Sequence, residues 1–144
     1  MGSAMQPVEL CIEGDPEHLA TVSEFVAAGA RRAGLSEDDV FAIQMAADEA
    51  CTNSIEHAYN GRRGEVRVCC WSEGDDYVVR ITDFGDVFDP ESVPSPDTTS
   101  PLTERPIGGL GLFLMRELVD QVIFQSDPEQ GNRVILRKRR RIAP

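Results

Sequence analysis

The chain has 144 residues, enough for one domain with a substantial buried core and too few for a second catalytic domain. Hydrophobic residues make up 41% and charged residues 27%, which excludes a disordered chain and a low-complexity scaffold. The formal net charge is −11, but six of the fourteen cations lie in residues 133–144, which hold no acid. The rest of the chain has eight cations against 25 acids, a net charge of −17, and is not suited to binding nucleic acid.

The sequence predicts a cytoplasmic protein without membrane contact. No apolar stretch approaches the length of a membrane span, and no charged and then apolar segment opens the chain as an export signal would. Residues 1–6 are interpreted as a leader or a disordered N-terminus, and residues 7–144 as a single domain. No cysteine belongs to a Cys-x-x-Cys pair or lies at zinc-ligand spacing from a histidine. We therefore predict four reduced core cysteines: Cys11, Cys51, Cys69 and Cys70.

The first 60 residues predict a strand and two helices. Apolar residues alternate over residues 8–12, which is typical of a half-buried strand. Asp15, followed by proline, can cap a helix whose apolar residues recur at three and four up to about Arg32. Ser36 and the three acids after it predict the start of a second helix. This helix is expected to reach about Tyr59, before an Asn-Gly pair.

The second half of the chain predicts a hairpin, a long loop, a helix and a second pair of strands. Residues 65–72 and 77–83 are expected to pair as antiparallel strands. Residues 86–107 contain five prolines and no sustained period, which indicates a lid or binding loop. The last predicted elements are a helix and two strands: residues 108–119, 121–125 and 133–137. This order predicts an α+β fold, a two-layer α/β sandwich whose mixed, mostly antiparallel sheet carries the helices on one face.

Several polar side chains stand at the edge of the predicted core. Glu49, Asn53 and His57 are four residues apart, so they form one row along the second helix, beside its apolar stripe. Asp83 continues an apolar row on one face of its strand. Burying a carboxylate without donors is costly. We interpret Asp83 as an acceptor on a pocket floor, suited to an exocyclic amine such as that of adenine; the alternative is an aspartate that only caps the strand end.

A glycine-rich segment opens the third predicted helix. Gly108, Gly109, Leu110 and Gly111 offer backbone N–H groups with little side-chain bulk, and the helix dipole adds positive potential. This pattern is typical of a phosphate-binding site, although glycines also permit close helix packing. No Gly-Lys-Ser or Gly-Lys-Thr follows, and the segment comes after a long loop. It is therefore neither a P-loop nor a dinucleotide-binding motif.

Together these segments resemble three known ATP-binding boxes. They are Asp-Glu-Ala-Cys-Thr-Asn-Ser-Ile-Glu-His-Ala-Tyr at residues 48–59, Asp-Phe-Gly-Asp-Val-Phe-Asp at 83–89 and Gly-Gly-Leu-Gly-Leu-Phe-Leu-Met at 108–115. In order and spacing they closely resemble the boxes of the GHKL (Bergerat-fold) ATPases, and within these the anti-sigma factor serine kinases of the RsbW type. The resemblance covers nearly the whole chain and implies the histidine-kinase-like ATPase fold. Val87 stands where the superfamily often has glycine, a change that the anti-sigma kinase group tolerates.

The resemblance implies a role for each matched residue. Glu49 would be the general base on the attacking hydroxyl, and Asn53 the ligand of a Mg²⁺ that bridges the ATP phosphates. Asp83 would accept a hydrogen bond from the adenine amine, and Gly85 would let the base lie against the backbone. Arg105 would reach the terminal phosphate as a second catalytic residue. The remaining implied ATP contacts are His57, Gly108, Gly109, Leu110 and Gly111.

The function implied is that of an ATP-dependent protein serine/threonine kinase and anti-sigma factor. It would use ATP and Mg²⁺, phosphorylate a STAS-domain anti-sigma-factor antagonist, bind a sigma factor and form a homodimer. Two alternatives stay open: a non-catalytic, ATP-gated partner-binding module, and a detached ATP-binding domain of a sensor histidine kinase system. Glu49 argues against the first, because a site without turnover needs no base. No segment looks like the histidine box of a sensor kinase, so histidine autophosphorylation is not expected.

The basic C-terminal segment allows two interpretations. Residues 137–141 are all arginine or lysine and end the last predicted strand. They form either a solvated strand end or a contact with an acidic partner surface. Unchanged partner affinity after removal of residues 138–144 would exclude the second interpretation.

Overall fold

The computed structural model describes residues 5–60, 62–86 and 109–141. The described helices and strands follow the predicted order: β1 (Val8–Glu13), α1 (Leu19–Arg32), α2 (Glu37–Asn53), β2 (Glu65–Glu73), β3 (Asp76–Asp83), α3 (Gly109–Leu118), β4 (Gln121–Asp127) and β5 (Gly131–Arg139). A 3-10 turn, Pro16–His18, precedes α1, and a π-helical turn, Ser54–Ala58, follows α2. The predicted lid, apart from its first residue Asp86, lies outside the described residues.

The five strands form one sheet in the order β1, β2, β3, β5, β4. Each neighbouring pair in this order is antiparallel. The described sheet is therefore fully antiparallel and not mixed as predicted. The chain runs from α3 to the edge strand β4 and returns through a hairpin, so that β5 pairs with β3. This return places Asn132 directly opposite Asp83.

The helices pack on one face of the sheet, which confirms the two-layer α+β prediction. Side chains alternate along β2 and β3, and one set is buried beneath the helices. Tyr77 on β3 is fully buried, and its hydroxyl donates a hydrogen bond to the carbonyl oxygen of Val26 in α1 at 2.8 Å. The core joins helix and strand residues that include Val26, Ile43, Ala47, Val66, Val68, Val79, Ile81 and Leu136.

Both predicted helix caps are present. The Asp15 carboxylate accepts a hydrogen bond from the backbone N–H of Glu17 at 3.0 Å, at the start of the 3-10 turn that precedes α1. The Ser36 hydroxyl accepts from the backbone N–H of Asp39 at 3.2 Å, which satisfies one of the free donors in the first turn of α2. The local sequence therefore sets where each helical segment begins.

Three of the four cysteines are buried and reduced, as predicted, but the prediction for Cys11 was wrong. Cys11 is exposed because its neighbours Leu10 and Ile12 face the core, and adjacent residues of a strand point to opposite faces. Along the described ranges, no helix combines the length and apolar content needed to cross a membrane. Location in the cytoplasm stays a prediction.

Candidate functional site

A cleft opens between α2, α3 and the sheet. Ala50 and Asn53 line it from α2, Ile81 and Asp83 from β3, and Met115 from α3. The hairpin of β4 and β5 closes another side. Apolar walls with a few fixed polar groups are typical of sites that bind a small organic molecule. Two residues predicted from separate motifs, Asn53 and Asp83, thus line one cleft.

Asp83 lies at the end of β3 with only 6% of its surface exposed. Its Oδ1 accepts hydrogen bonds from the backbone N–H of Gly85 at 3.1 Å and from Nδ2 of Asn132 at 2.9 Å. These donors compensate the burial of one carboxylate oxygen. No hydrogen bond reaches Oδ2 from the described residues. The carboxylate therefore has one oxygen held and one available to a ligand in the cleft.

Asn132 is a site residue that the sequence prediction missed. Besides Asp83, its amide Nδ2 faces the carbonyl oxygens of Gly85 at 2.9 Å and Asp86 at 3.3 Å. Its Oδ1 accepts a hydrogen bond from the Ser126 hydroxyl at 3.1 Å. In the sequence, Asn132 belongs to a segment that only indicates a hairpin turn. The signal available was the strand register, which pairs Asn132 with Asp83 once β5 is placed beside β3.

The segment after Asp83 is held against the C-terminal end of the α2 region. The backbone N–H of Asp86 donates to the Ala58 carbonyl at 2.7 Å, and Asp86 forms an ion pair with Arg62 at 3.1 Å. A Cβ atom at Gly85 would overlap the same Ala58 carbonyl. Glycine is thus required at position 85 by the close approach of two backbone segments. This packing fixes the backbone at Gly85, against which the family resemblance predicts that the adenine base lies.

Glu49 lies one turn before Asn53 and faces the start of α3. A Cβ atom added to Gly111 would lie 2.6 Å from Glu49 Oε2, so the carboxylate packs closely against the backbone of α3 at this position. Gly109 and Leu110 belong to the first turn of α3. The first N–H groups of a helix lack intrahelical partners and point away from the helix start. The carboxylate of Glu49 therefore lies beside a helix N-terminal turn.

The row predicted along α2 does not continue to His57. His57 lies in the π-helical turn, is exposed and does not line the cleft. The backbone N–H of Tyr59 bonds to the carbonyl of Ser54, five residues earlier, at 3.2 Å. This wider turn displaces residues from the fourfold row of an α-helix. A contact of His57 with ATP stays a prediction, and Arg105 and Gly108 lie outside the described residues.

Burial raises the pKa of two groups near Glu49. It raises the pKa of Asp48, and the negative charge of Glu49 adds to this shift, while a hydrogen bond from the Ser23 hydroxyl at 3.4 Å opposes it. Burial also raises the pKa of the Cys51 thiol to about 12. Cys51 is therefore neutral at physiological pH and is not a nucleophile. Glu49 itself lies partly exposed at the surface of α2.

Comparison with known proteins decides the family. The sequence model of the family described as the histidine kinase-like ATPase domain matches residues 12–138. The chain belongs to this family. It is also 36% identical over 136 residues to the serine-protein kinase RsbW of Bacillus velezensis, covering 88% of this chain and 82% of that relative. The serine-protein kinase RsbW of Bacillus cereus strain AH187 is 30% identical over 142 residues, or 96% of this chain and 88% of the relative.

A solved structure supports the same fold. The structure of the RsbU and RsbW domains of Rv1364c from Mycobacterium tuberculosis is similar with a TM-score of 0.66 and 18% sequence identity. The match covers 96% of this chain and 35% of that longer chain. The predicted histidine-kinase-like fold and the RsbW-type family are thus confirmed. The structure places Asn53 and Asp83 of this RsbW-type chain in one cleft, and Glu49 beside Gly111 on the neighbouring helix.

Proposed function

We propose that this chain is an ATP-dependent protein serine/threonine kinase and anti-sigma factor that phosphorylates a STAS-domain anti-sigma-factor antagonist. The observation that carries the proposal is the juxtaposition of Asp83 and Asn53 in one cleft with Glu49 one turn along α2. The names of the two RsbW relatives, both serine-protein kinases, support the reaction class. Sigma-factor binding and a homodimer belong to the same proposal and rest on the family resemblance.

Asp83 would recognise the base of ATP. Oδ1 is occupied by Gly85 and Asn132, so Oδ2 is the oxygen that accepts a hydrogen bond from the exocyclic amine of adenine. A guanine base presents a carbonyl oxygen at the same place, which repels a carboxylate. The donors that hold Asp83 are fixed before the nucleotide arrives, which lowers the ordering cost of binding.

The phosphates would lie toward the start of α3. Gly111 keeps this region free of side-chain bulk next to Glu49, and the helix dipole favours negative charge at that end. Arg105, as a lid arginine, would offset charge on the terminal phosphate during transfer. Gly108, Gly109 and Leu110 would contribute backbone N–H groups. The cleft would thus bind ATP with its base at β3 and its phosphates at α3.

The donor set fits Mg²⁺. Asn53 offers an amide oxygen in the cleft, and the described part of the chain has no group of three or more His, Cys, Asp or Glu side chains that would hold a metal on its own. Magnesium binds in such sites through few protein oxygens, retained waters and substrate phosphates. When bound with ATP, it neutralises phosphate charge. Asn53 is the residue proposed to hold it.

Glu49 would act as the general base. The seryl or threonyl hydroxyl of the partner attacks the γ-phosphorus, the bond to the β–γ bridging oxygen breaks, and ADP leaves. The hydroxyl proton passes to the Glu49 carboxylate. Because α2 holds Glu49 one turn from Asn53, the base and the metal ligand are set by the same helix. Most of the rate enhancement in such a site comes from positioning and charge stabilisation.

The test is transfer of labelled γ-phosphate from Mg-ATP to each STAS-domain protein of the source organism. We expect wild-type chain to label one antagonist on serine or threonine. Glu49→Gln is expected to reduce the transfer rate by about 100-fold or more, the usual contribution of a positioned base, with ATP affinity changed less than about twofold. Glu56→Gln, on an exposed acid seven residues further along, is the matched control and should leave transfer unchanged.

Each other outcome points to a different function. Bound ATP with no labelled partner would contradict the kinase and favour the nucleotide-gated binding module. Label that is stable to alkali and labile to acid would indicate phosphohistidine and the sensor-kinase alternative. Full transfer activity in Glu49→Gln would remove Glu49 from the role of base.

A further inference from the structure

The segment that follows β3 is held at the exit of the π-helical turn. The backbone N–H of Phe84 donates to the Tyr59 hydroxyl at 2.9 Å. Two residues further along, the N–H of Asp86 donates to the Ala58 carbonyl at 2.7 Å. The proposed function places the adenine base against residues 84–86, which we call the base segment. The exit of the turn therefore fixes where the base segment lies.

Arg62 joins the same two parts of the chain through its side chain. Its Nε donates to the Tyr59 carbonyl at 2.9 Å, and its Nη2 donates to the Ala58 carbonyl at 3.1 Å. The same Nη2 lies 3.1 Å from Oδ1 of Asp86. Carbonyl oxygens at the end of a helix have no donor within that helix. One guanidinium thus bonds to two such oxygens and to a carboxylate of the base segment.

The local sequence turns Arg62 back onto the helix end. Asn60 has a φ of 49°, in the left-handed region that commonly ends helices. The backbone N–H of Arg62 then donates to the Tyr59 carbonyl at 2.9 Å. A cation is favoured beside the negative end of a helix dipole, and the planar fork of arginine reaches several acceptors at once. The ion pair with Asp86 alone contributes little, because both side chains are more than half exposed. The bonds to the two carbonyls hold the guanidinium in place.

Gly85 links the base segment to the carboxylate that would recognise adenine. Its backbone N–H donates to Oδ1 of Asp83 at 3.1 Å. The Asn132 amide holds two carbonyls of the same region from the other side. Loss of the Arg62 guanidinium removes the side-chain support from one side, so the Asp83 carboxylate is less well fixed before the nucleotide binds. Groups that are fixed in advance lower the ordering cost of binding.

We propose that Arg62 is a positioning residue for the nucleotide base, acting through Asp86 and Gly85 on the Asp83 carboxylate. This inference rests on the proposed function and adds to it a residue that does not line the cleft. The contribution of Arg62 falls on the adenine amine, because the amine is the group that bonds to Asp83. A nucleotide with the same phosphates but no amine should therefore be nearly indifferent to Arg62.

The test measures the affinities of ADP and inosine diphosphate by isothermal titration calorimetry. Inosine diphosphate has the same phosphates but carries a carbonyl in place of the adenine amine. In Arg62→Ala we expect the Kd for ADP to rise about fivefold, the size of a typical net hydrogen bond, and the Kd for inosine diphosphate to change less than about twofold. Arg63→Ala is the matched control. The side chain of this neighbouring arginine is 91% exposed and pairs with Glu13 at 3.3 Å, so both affinities should stay as in wild type.

A double-mutant cycle with Asp86→Ala tests the path of the effect. Asp86→Ala should weaken ADP binding about threefold, and adding Arg62→Ala should then cost only about twofold. In the transfer assay Arg62→Ala should raise the KM for ATP and leave kcat unchanged, because the contact with the base is made equally before and during transfer. Full additivity of the two substitutions would contradict the path through Asp86 and overturn the proposal.

The remaining outcomes separate this inference from the proposed function. Equal weakening of both nucleotides by Arg62→Ala would overturn the positioning role, because the loss would then not pass through the adenine amine. Unchanged ADP affinity, with or without a lower melting temperature, would also overturn it and leave the ATP site in place. Binding of neither nucleotide by wild-type chain would overturn the inference together with the proposed function.

Discussion

Asp83 is nearly buried and charged, two properties that conflict unless the surrounding structure supplies donors. The donors come from two different parts of the chain: the backbone of Gly85 just after β3, and the side chain of Asn132 on the paired strand β5. Asn132 also faces two carbonyls of the Gly85–Asp86 segment. One amide thereby orients the carboxylate and holds the backbone that follows it. Under the proposed function, Asn132 would contribute to base recognition through Asp83.

This dependence can be measured with a double-mutant cycle. Asp83→Asn should weaken ATP binding about tenfold to 100-fold, because the acceptor for the adenine amine loses its charge. Asn132→Ala should weaken binding about tenfold, since the Asp83 carboxylate is then free to turn. In the Asp83→Asn background the further loss from Asn132→Ala should be less than about twofold. Isothermal titration calorimetry gives all four affinities.

Independent, additive losses would contradict a positioning role for Asn132. Ser126→Ala is a suitable control, because it removes only the hydroxyl that donates to Asn132 Oδ1 and leaves the bonds to Asp83 and Gly85. We expect this variant to lose no more than about threefold in ATP affinity.

At the scale of elements, the contact between α1 and α2 contains a carboxylate whose burial costs free energy. Asp48 Oδ1 is buried without a hydrogen bond, and Oδ2 is held by the Ser23 hydroxyl, which in turn accepts from Gln44 at 2.8 Å. Burial raises the pKa of Asp48 above its ordinary value of 3.8. The folded state thus holds the Asp48 proton more tightly than the unfolded state, and this contribution to stability is lost as pH rises through the folded-state pKa.

Asp48→Asn should therefore stabilise the fold at neutral pH. The amide removes the cost of a buried charge and keeps an acceptor for Ser23, so we expect the melting temperature at pH 7.5 to rise by a few degrees. Below the ordinary carboxyl pKa the native Asp48 is protonated in both states, and the difference from wild type should vanish. Glu24→Gln, on an exposed acid of α1, is the control. An equal gain at pH 3 and pH 7.5 would contradict the charge argument.

The sequence predicted elements well where local signals decide them. Asp15 and Ser36 predicted the starts of the helical segments, and the spacing of apolar residues predicted the faces that pack in the core. Both kinds of signal depend only on residues close together in the sequence. The π-helical turn was not predictable, because the sequence around it has the same spacing of apolar residues as an ordinary α-helix. His57 lies in this turn and therefore outside the predicted row of Glu49 and Asn53. Asn132 was missed for a different reason: its partner Asp83 is 49 residues earlier, and only the strand register brings the two together.

At the scale of the whole molecule, the basic C-terminal segment is neutralised by acids of the same chain. Arg137 pairs with Glu73 and Asp76, and Arg140 with Asp75, along the sheet and the β2–β3 turn. The solvated strand end interpreted from the sequence was wrong for Lys138, which is 8% exposed. A partner contact through this segment stays a prediction. Unchanged affinity after removal of residues 138–144 would exclude it, but a loss of affinity would not by itself prove it, because the removal also breaks the internal ion pairs of Lys138 and Arg140.

Lys138 connects the sheet to the helix layer at one end of the molecule. Its ammonium group donates to the Leu118 carbonyl at 3.0 Å and lies 3.7 Å from the carboxylate of Asp39, which is 3% exposed in the first turn of α2. Arg141 lies 3.6 Å from the other carboxylate oxygen. One buried acid therefore connects the last strand to the helix that carries Glu49 and Asn53. Removing one member of such a pair leaves a buried charge with too few partners.

Asp39→Asn should consequently lower the free energy of unfolding by about 3 kcal/mol, measured by urea denaturation. Asp38→Asn is the matched control, because it removes a neighbouring acid from the same helix turn, with the same dipole interaction, but an exposed one; we expect a loss of about 0.5 kcal/mol. Adding Lys138→Met to Asp39→Asn removes the stranded charge and should recover most of the lost stability. Equal losses in the two single variants would show that Asp39 acts only at the helix start, and the connection between β5 and α2 would then rest on apolar packing alone.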